Sequence, residues 1–308
     1  MAPYYRRVMP SGPLVVAGAF GVDTNVYVTG ARVGAETTFA HITDGLGQAG
    51  CYSALSAAAL GIPARAIAAL GADRLGDWVR EELTTRGVAL TELREPLGTH
   101  RSVNLVAEDG TRRNFLDVRA VSEVAVDLEA CRAALRGARA LHCHLDDWCR
   151  QLLPVALDEG VVVSTDLQDV TDLNDPYRAD FVAAADIIFM SGTNLEDPAA
   201  AALELASRRQ GRTVIVTLGA AGCLVASDGR VRRFPAVELP DPVIDTNGAG
   251  DNLAIGFLAA RVLAGLPLGR AVDRAQLAAR WICAQRGDEK TPLSGEQLEE
   301  LEERLGGR

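Results

Sequence analysis

The chain has 308 residues, 48% of them hydrophobic, with a formal net charge of -10. That is enough apolar material for a large core, and the acidic balance with scattered arginines argues against binding a nucleic-acid backbone. No apolar run reaches membrane-spanning length, and Arg6 and Arg7 are not followed by a leader-like apolar stretch, so a cytoplasmic protein acting on a small molecule, without nucleic acid or membrane as partner, is expected.

Short apolar runs alternate with helical patterns along the chain. Leu14 to Phe20, Ala64 to Leu70, Ala138 to Leu145, Val161 to Leu167, Asp186 to Met190 and Thr213 to Leu218 read as strands, several apolar on both faces as buried parallel strands are. Gly50 to Leu60, Asp73 to Thr85, Leu128 to Leu135, Asp147 to Asp158, Pro198 to Arg209 and Asn252 to Ala264 read as helices. The alternation predicts a doubly wound α/β fold, with a mostly parallel sheet flanked by helices. Val26 to Asp44 and Ser102 to Val118 break the rhythm, the latter with Glu108-Asp109-Gly110 as a hairpin turn. They predict a small β-strand lid, inserted at about residues 24–44 and 99–119 of one domain spanning 1–308. Six cysteines, at positions 51, 131, 143, 149, 223 and 283, lack CxxC spacing and predict buried reduced thiols.

Asp245-Thr246-Asn247-Gly248-Ala249-Gly250-Asp251 runs straight into the last of these helices. Small glycines at a helix N-terminus let backbone N–H groups converge on an oxyanion, and a carboxylate lies in the same turn. The alternative is an aspartate capping a helix on a glycine turn. A second motif competes. Gly45-Leu46-Gly47-Gln48-Ala49-Gly50 is a literal GxGxxG before a helix, the layout of a dinucleotide fingerprint, which makes an NAD(P)-dependent oxidoreductase the rival reading. The preceding Thr37 to Asp44 is too polar for a central strand, however, and the best opening strand ends far upstream.

The segment from Asp245 to Asp251 resembles the DTxGAGD signature of the ribokinase-like (PfkB) sugar and nucleoside kinase family, and Thr217-Leu218-Gly219-Ala220-Ala221-Gly222 resembles its TLGxxG nucleotide-side turn. Asp228-Gly229 fits the hairpin that follows. Gly18 to Asp23, Ala59-Leu60-Gly61 and Gly71 to Asp77, with its GxDxxG pattern, extend the resemblance over nearly the whole chain. It also accounts for the GxGxxG, because relatives carry GGxxxN where this chain has Gly47, Gln48 and Tyr52.

The resemblance implies an ATP-dependent phosphotransferase acting on a hydroxyl of a sugar, nucleoside or related polyol. Phosphoryl transfer asks for positioning, charge neutralisation and a carboxylate to take the hydroxyl proton. Asp251 is the candidate base, with the backbone of Asn247, Gly248, Ala249 and Gly250 as anion hole. The nucleotide side is assigned to Asn194, Thr217, Gly219, Gly222 and Asn247, and the substrate side to Asp23, Asn25, Gly47, Gln48, Tyr52 and Arg101. Mg²⁺ follows from nucleotide chemistry. The resemblance further implies a monovalent cation such as K⁺ near Asp245. A catalytically silent ligand-binding relative is the third reading.

Two departures stand out. Relatives order magnesium with NxxE, whereas this chain has Ser191-Gly192-Thr193-Asn194-Leu195-Glu196-Asp197, leaving the register open between Ser191 with Asn194, Asn194 with Asp197, and Glu196. Tyr52 stands where sugar kinases carry asparagine, and with Phe39 and His41 nearby it suggests stacking of a base or flat ring. Asp166 is expected at a strand end facing the cleft, and His142, His144, Asp146 and Asp147 form a candidate metal cluster or cleft lining. Arg101, Arg112, Arg113 and Arg119 are candidate grips for an anionic acceptor. Exposed lid edges suggest a homodimer.

Overall fold

The computed structural model describes residues 12–28, 39–107, 112–117 and 123–306. Five of its strands form the parallel centre: β1 (Leu14–Ala19), β4 (Ala64–Leu70), β8 (Ala140–Cys143), β9 (Val162–Asp169) and β10 (Ile187–Ser191). With β5 (Ala89–Arg94), β11 (Thr213–Thr217), β12 (Cys223–Ser227) and β13 (Arg230–Phe234) they make a nine-stranded sheet in the order β13-β12-β11-β10-β9-β8-β1-β4-β5. In this sheet only the pairings of β11 with β12 and of β12 with β13, at one edge, are antiparallel.

The residues of β1 show why the sheet is buried on both sides. Leu14 and Val16 face one core, under α1 (Gln48–Ala59), α2 (Arg74–Thr85), α7 (Ala249–Leu258), α8 (Leu268–Ile282) and α9 (Gly295–Arg304). Val15 and Ala17 face the other, under α3 (Leu128–Leu135), α4 (Leu152–Asp158), α5 (Ala179–Ala184) and α6 (Pro198–Ser207). Period-two alternation with apolar residues at both phases is what a covered parallel strand requires.

Strand order reverses beside β1. From there the chain steps outward through β4 and β5, then returns to β8 and steps the other way through β9, β10 and β11. Crossovers that diverge leave a crevice at the carboxyl ends of β1 and β8, the usual ligand position in such sheets. The gap is braced by the Ala19 N–H donating to Asp146 Oδ2 at 2.9 Å and the His144 N–H donating to Ala17 O at 2.9 Å.

Above the crevice lies a four-stranded sheet, β3 (Ala40–Gly47), β2 (Gly21–Val28), β6 (His100–Ala107) and β7 (Arg112–Leu116), in that order. Register puts Asp23, Ser102 and Leu116 side by side, and Asn25, Asn104 and Asn114 in the next row, all on the face toward the crevice. Thr24, Val26 and Val28 alternate with them on the outer face. The Glu108-Asp109-Gly110 turn and Arg119 lie outside the described residues.

Three elements differ from the sequence reading. Asp147 to Asp158 splits into a 3₁₀ turn over Asp147–Gln151 and α4, with Pro154 in the first turn of α4, where its missing N–H costs nothing. The helix expected over Asn252 to Ala264 starts earlier, at Ala249, and ends in a π turn over Ala259–Leu263. The GxGxxG does not form a dinucleotide turn: Gly45 and Gly47 lie in β3, an antiparallel lid strand, so no parallel strand of the main sheet leads into it. Gly50 sits in α1 instead, where a Cβ would come within 2.5 Å of Ala19 O and the Phe20 ring. Glycine there sets the distance of the helix from β1.

Phe257 of α7 packs edge-on against Phe189 of β10, ring centroids 5.8 Å apart, and both are fully buried. This contact fixes the helix of the Gly-rich turn to the sheet. Phe257→Ala is expected to destabilise the fold by about 3–5 kcal/mol, read from the midpoint of urea unfolding.

Candidate active site

The Asp245 to Asp251 turn closes on a buried carboxylate. Asp245 is 2% exposed, and its Oδ1 accepts the Asn247 N–H at 2.9 Å while Oδ2 accepts the Tyr27 hydroxyl at 3.0 Å. Lys290 lies on the other side, its Nζ 3.2 Å from Asp245 Oδ2 and 3.2 Å from Asp245 O, and it also donates to Asn247 O. The N–H groups of Ile244 and Asp245 donate to Cys283 O, tying the turn to the exit of α8. Gly248 then takes φ 78, a left-handed conformation that glycine adopts without strain, and α7 begins at Ala249. First-turn N–H groups have no intrahelical acceptor, so those of α7 point out of its N-terminus toward the crevice. Two of the four expected anion-hole groups are used otherwise, since the Asn247 N–H is held by Asp245 Oδ1 at 2.9 Å and the Ala249 N–H closes the turn on Thr246 O at 3.2 Å, which leaves those of Gly248 and Gly250. Asp251 follows within that first turn.

The second wall is built on Asp23, only 3% exposed. Its Oδ1 accepts from Ser102 Oγ at 2.7 Å, Gln48 Nε2 at 2.9 Å and the Gln48 N–H at 3.3 Å; Oδ2 accepts from the Tyr52 hydroxyl at 3.0 Å and Asn247 Nδ2 at 3.2 Å. Gly47 is required for this: a Cβ there would lie 2.1 Å from the Asp23 carboxyl carbon. Gln48 holds φ 64, unfavourable for a side chain with a Cβ, and its two hydrogen bonds to Asp23 offset that strain. Asn247 Nδ2 also donates to Tyr52 Oη at 3.1 Å, so lid strand, first helix and Gly-rich turn meet at one point. Burial and the adjacent Asp23 carboxylate push the Tyr52 hydroxyl well above its ordinary range, and it stays a donor.

Between these walls lies a cleft of about 660 Å³, lined on the lid side by Gln48, Tyr52, Arg101, Ser102 and Asn104 and on the sheet side by His144, Asp146, Asp166, Ser191, Thr193, Thr217 and Gly219. Gly248, Gly250 and Asp251 form its floor. The structure thus brings Asp23, Gln48, Tyr52, Arg101, Thr217, Gly219, Asn247, Gly248, Gly250 and Asp251 together. Others are placed elsewhere. Asn194 and Glu196 are exposed and do not line the cleft, because the chain folds back after β10 with the Gly192 N–H on Thr217 O and with Ser191 Oγ bonded to Thr193. Asp197 is spent capping α6, accepting from the N–H groups of Ala199 and Ala200. Gly222 closes the strand turn at φ 91, where a Cβ would meet Phe234 O at 2.1 Å, and is not a lining residue. Asn25 sits behind the wall, accepting from Asn104 Nδ2 at 3.0 Å.

Tyr52 does not offer a ring face for stacking. It is 8% exposed and its ring packs against Gly248, whose added Cβ would fall 2.8 Å from Tyr52 Cδ1. Phe39 and His41 are solvent-exposed and outside the lining. Asp166 is one residue that sequence placed correctly at the cleft without a motif: burial raises its carboxyl above the usual range, and a Cβ on Gly250 would come 3.6 Å from its Oδ2. His142 and His144 form no metal cluster with other described residues. His142 bonds Ser164 Oγ at 3.0 Å and His144 bonds Ser53 Oγ at 3.2 Å, and burial lowers His144 to about 4, so both imidazoles are neutral. Of the arginines, Arg113 lies over the Phe115 ring at 5.0 Å. Sequence reasoning missed Lys290, which lies in a stretch without motif or periodicity, and Tyr27, whose contact with Asp245 spans 218 positions.

Comparison with known proteins agrees with this geometry. The model of the pfkB family carbohydrate kinases matches residues 14–294. The chain is 34% identical over 275 residues to the acarbose 7(IV)-phosphotransferase of Actinoplanes sp., covering 88% of this chain and 91% of that one. Among solved structures it is similar to the microbiome-derived acarbose kinase Mak1, at a TM-score of 0.84 and 29% identity, over 94% of this chain and 98% of that one. The ribokinase of Arabidopsis thaliana complexed with ribose and ATP shares the fold, at a TM-score of 0.77 and 22% identity, over 94% and 98% of the two chains. The chain belongs to the pfkB family of carbohydrate kinases, phosphotransferases that use ATP and an alcohol group as acceptor.

Proposed function

We propose that the protein transfers the γ-phosphoryl group of ATP to one hydroxyl of a polyhydroxylated carbohydrate, acarbose or a chemically related acceptor, with Asp251 as general base. The observation that carries this reading is the placement of Asp251 on the cleft floor, one turn past the left-handed Gly248 and facing the Asp23 wall. A hydroxyl seated between those walls has a carboxylate to take its proton and N–H groups at the helix terminus to receive the phosphoryl oxygens. Thr217 and Gly219, at the end of β11, line the part of the cleft assigned to the nucleotide. The lid wall is polar, with Arg101, Ser102, Asn104 and Asn114, and the Tyr52 ring is packed away, which favours a sugar over a nucleoside. Similarity to two acarbose-phosphorylating proteins supports the same class.

Mg²⁺ fits the residues present. Asp166, with Asp169 and Ser191 nearby in the lining, supplies hard oxygen donors beside the Gly-rich turn, and a buried carboxylate held high by desolvation favours a cation partner. The ion would neutralise phosphate charge; Asp166 rather than Glu196 would hold it, in part through water. The chain would act as one catalytic unit with its lid strands inserted. The lid's outer face carries half-buried Val26, Val103 and Leu105 with exposed Ile42 and Phe115, which supports a homodimer formed through that face. No described helix is long and apolar enough to cross a membrane, and all six cysteines are free and buried, in keeping with a reducing cytoplasm.

Asp251→Asn is expected to lower kcat by at least about 10²-fold with little change in melting temperature, measured as ADP release; retained turnover would remove Asp251 as base. In an ADP-release panel of acarbose, maltooligosaccharides, free sugars, sugar acids, inositols and nucleosides with Mg²⁺, turnover is expected with the oligosaccharide-like acceptors. A nucleoside preferred over all of them would overturn the substrate class, and binding without turnover anywhere in the panel would indicate a silent relative. Tyr52→Phe deletes one donor to Asp23 and the acceptor for Asn247, and is expected to raise the acceptor KM by about tenfold while leaving the KM for ATP near that of the parent protein.

A further inference from the structure

The oxygens that the resemblance would give to a monovalent cation already surround a side chain. Lys290 Nζ stands 3.2 Å from Asp245 Oδ2, 3.2 Å from Asp245 O, and within hydrogen-bonding reach of Asn247 O. An ammonium has three donors, one for each of these oxygens, and carries the same single charge as K⁺. Its side chain is 4% exposed and that of Asp245 1%. The donor set therefore does not fit an added K⁺, because its centre is filled by a charge the chain supplies itself.

We infer that Lys290 is a built-in replacement for the monovalent cation, so that this kinase works without K⁺ and Lys290 positions the anion hole. The inference rests on the kinase reading of the same site. Two physical effects carry it. The buried Asp245 carboxylate lies two residues before the anion-hole turn, and uncompensated it would repel the incoming phosphate; Lys290 cancels that charge in place. The second effect is orientation. A trans peptide points its carbonyl and the following N–H in opposite directions, so anchoring Asn247 O on Lys290 turns the Gly248 N–H away from Lys290, on the side where Gly248 lines the cleft. A mobile ion does this only while bound; a tethered ammonium does it in every molecule.

Lys290 is held for the task. It follows a 3₁₀ turn over Gly287–Glu289, and the Gly287 N–H donates to Tyr27 Oη at 2.5 Å, the same hydroxyl that donates to Asp245. A Cβ on Gly287 would lie 2.3 Å from Asn25 Nδ2, so glycine lets this turn approach the lid without displacing the Asn25 amide from Asn104.

The test compares the parent protein with Lys290→Met, which keeps bulk and drops charge, and Lys290→Ala, which opens the space. Each is assayed with Mg²⁺ and ATP, on an acceptor from the panel above, in KCl, NH₄Cl, methylammonium chloride or tetramethylammonium chloride at fixed ionic strength. The parent protein's kcat/KM is expected to agree within about twofold in all four salts, Lys290→Met to fall at least about tenfold in all four, and Lys290→Ala to fall likewise but recover in part with K⁺, ammonium or methylammonium. Thermal melting is the reading that needs no turnover: K⁺ against tetramethylammonium should raise the midpoint of Lys290→Ala and leave that of the parent protein unchanged. Strong K⁺ activation or K⁺ stabilisation of the parent protein would overturn the inference, as would full activity of Lys290→Met, or a loss in Lys290→Ala that no cation repairs in activity or melting. Absence of phosphorylation by the parent protein in every salt would instead remove the kinase reading.

Discussion

A carboxylate removed from water is costly unless its lone pairs are filled, and the way Asp245 is filled sets the geometry of everything around it. Its two oxygens take a backbone N–H from its own turn, a hydroxyl from the lid and an ammonium from the C-terminal segment. The turn is thereby fixed in shape before any ligand arrives. The anion hole proposed at the start of α7 would need that rigidity, since hydrogen-bond donors stabilise developing charge only when they do not have to reorganise to meet it. The turn supplies part of it, through the Asn247 N–H on Asp245 Oδ1 and the Ala249 N–H on Thr246 O. Gly248 is there for its left-handed backbone, and the rest of the constraint comes from Tyr27 and Lys290.

Asp23 performs the matching service on the opposite wall. Five donors converge on its two oxygens, from the lid, the first helix and the Gly-rich turn. Because Asn247 reaches both Asp23 and Tyr52, the Asp23 wall and the Gly-rich floor of the cleft share a residue. On the proposed reading, acceptor contacts and phosphate contacts are then parts of one hydrogen-bonded network, so strain at either is felt at the other.

The central strands were legible because a parallel strand covered on both faces leaves a continuous apolar run, as Val15, Val16 and Ala17 do; the strand over Ala64–Leu70 and the helix over Leu128–Leu135 have the bounds read from the sequence. The Gly-rich turn was legible because its chemistry is local. The lid was harder: β2 and β3, though eight residues each, are polar on the crevice face and lack the continuous apolar run of the central strands. The helix α8 escaped notice because its buried face includes Arg274, which is paired with Glu302 at 2.6 Å and reads as surface in sequence. The positions of Glu196 and Asn194 outside the cleft lining have one cause. A motif one residue out of register gives no sign of which way the backbone turns after the strand, and here the Gly192 to Thr217 hydrogen bond carries both side chains out to solvent. Lys290 was invisible for a different reason, since nothing local distinguishes a lysine that meets solvent from one that meets a buried carboxylate.

The three groups that close on one another at Asp245 are far apart in sequence, with 218 positions between Tyr27 and Asp245 and 45 between Asp245 and Lys290. Synthesis delivers the amino-terminal part first, and contacts between distant segments form only after the intervening chain is ordered. The hydroxyl of Tyr27 therefore waits for its carboxylate until 218 further residues have been made, and the carboxylate waits 45 more for its ammonium. A chain still short of residue 290, or clipped before it, lacks the clasp on the Gly-rich turn. Closure of the Gly-rich turn on its ammonium is in this way placed after the making of residue 290, and not at the making of the turn itself.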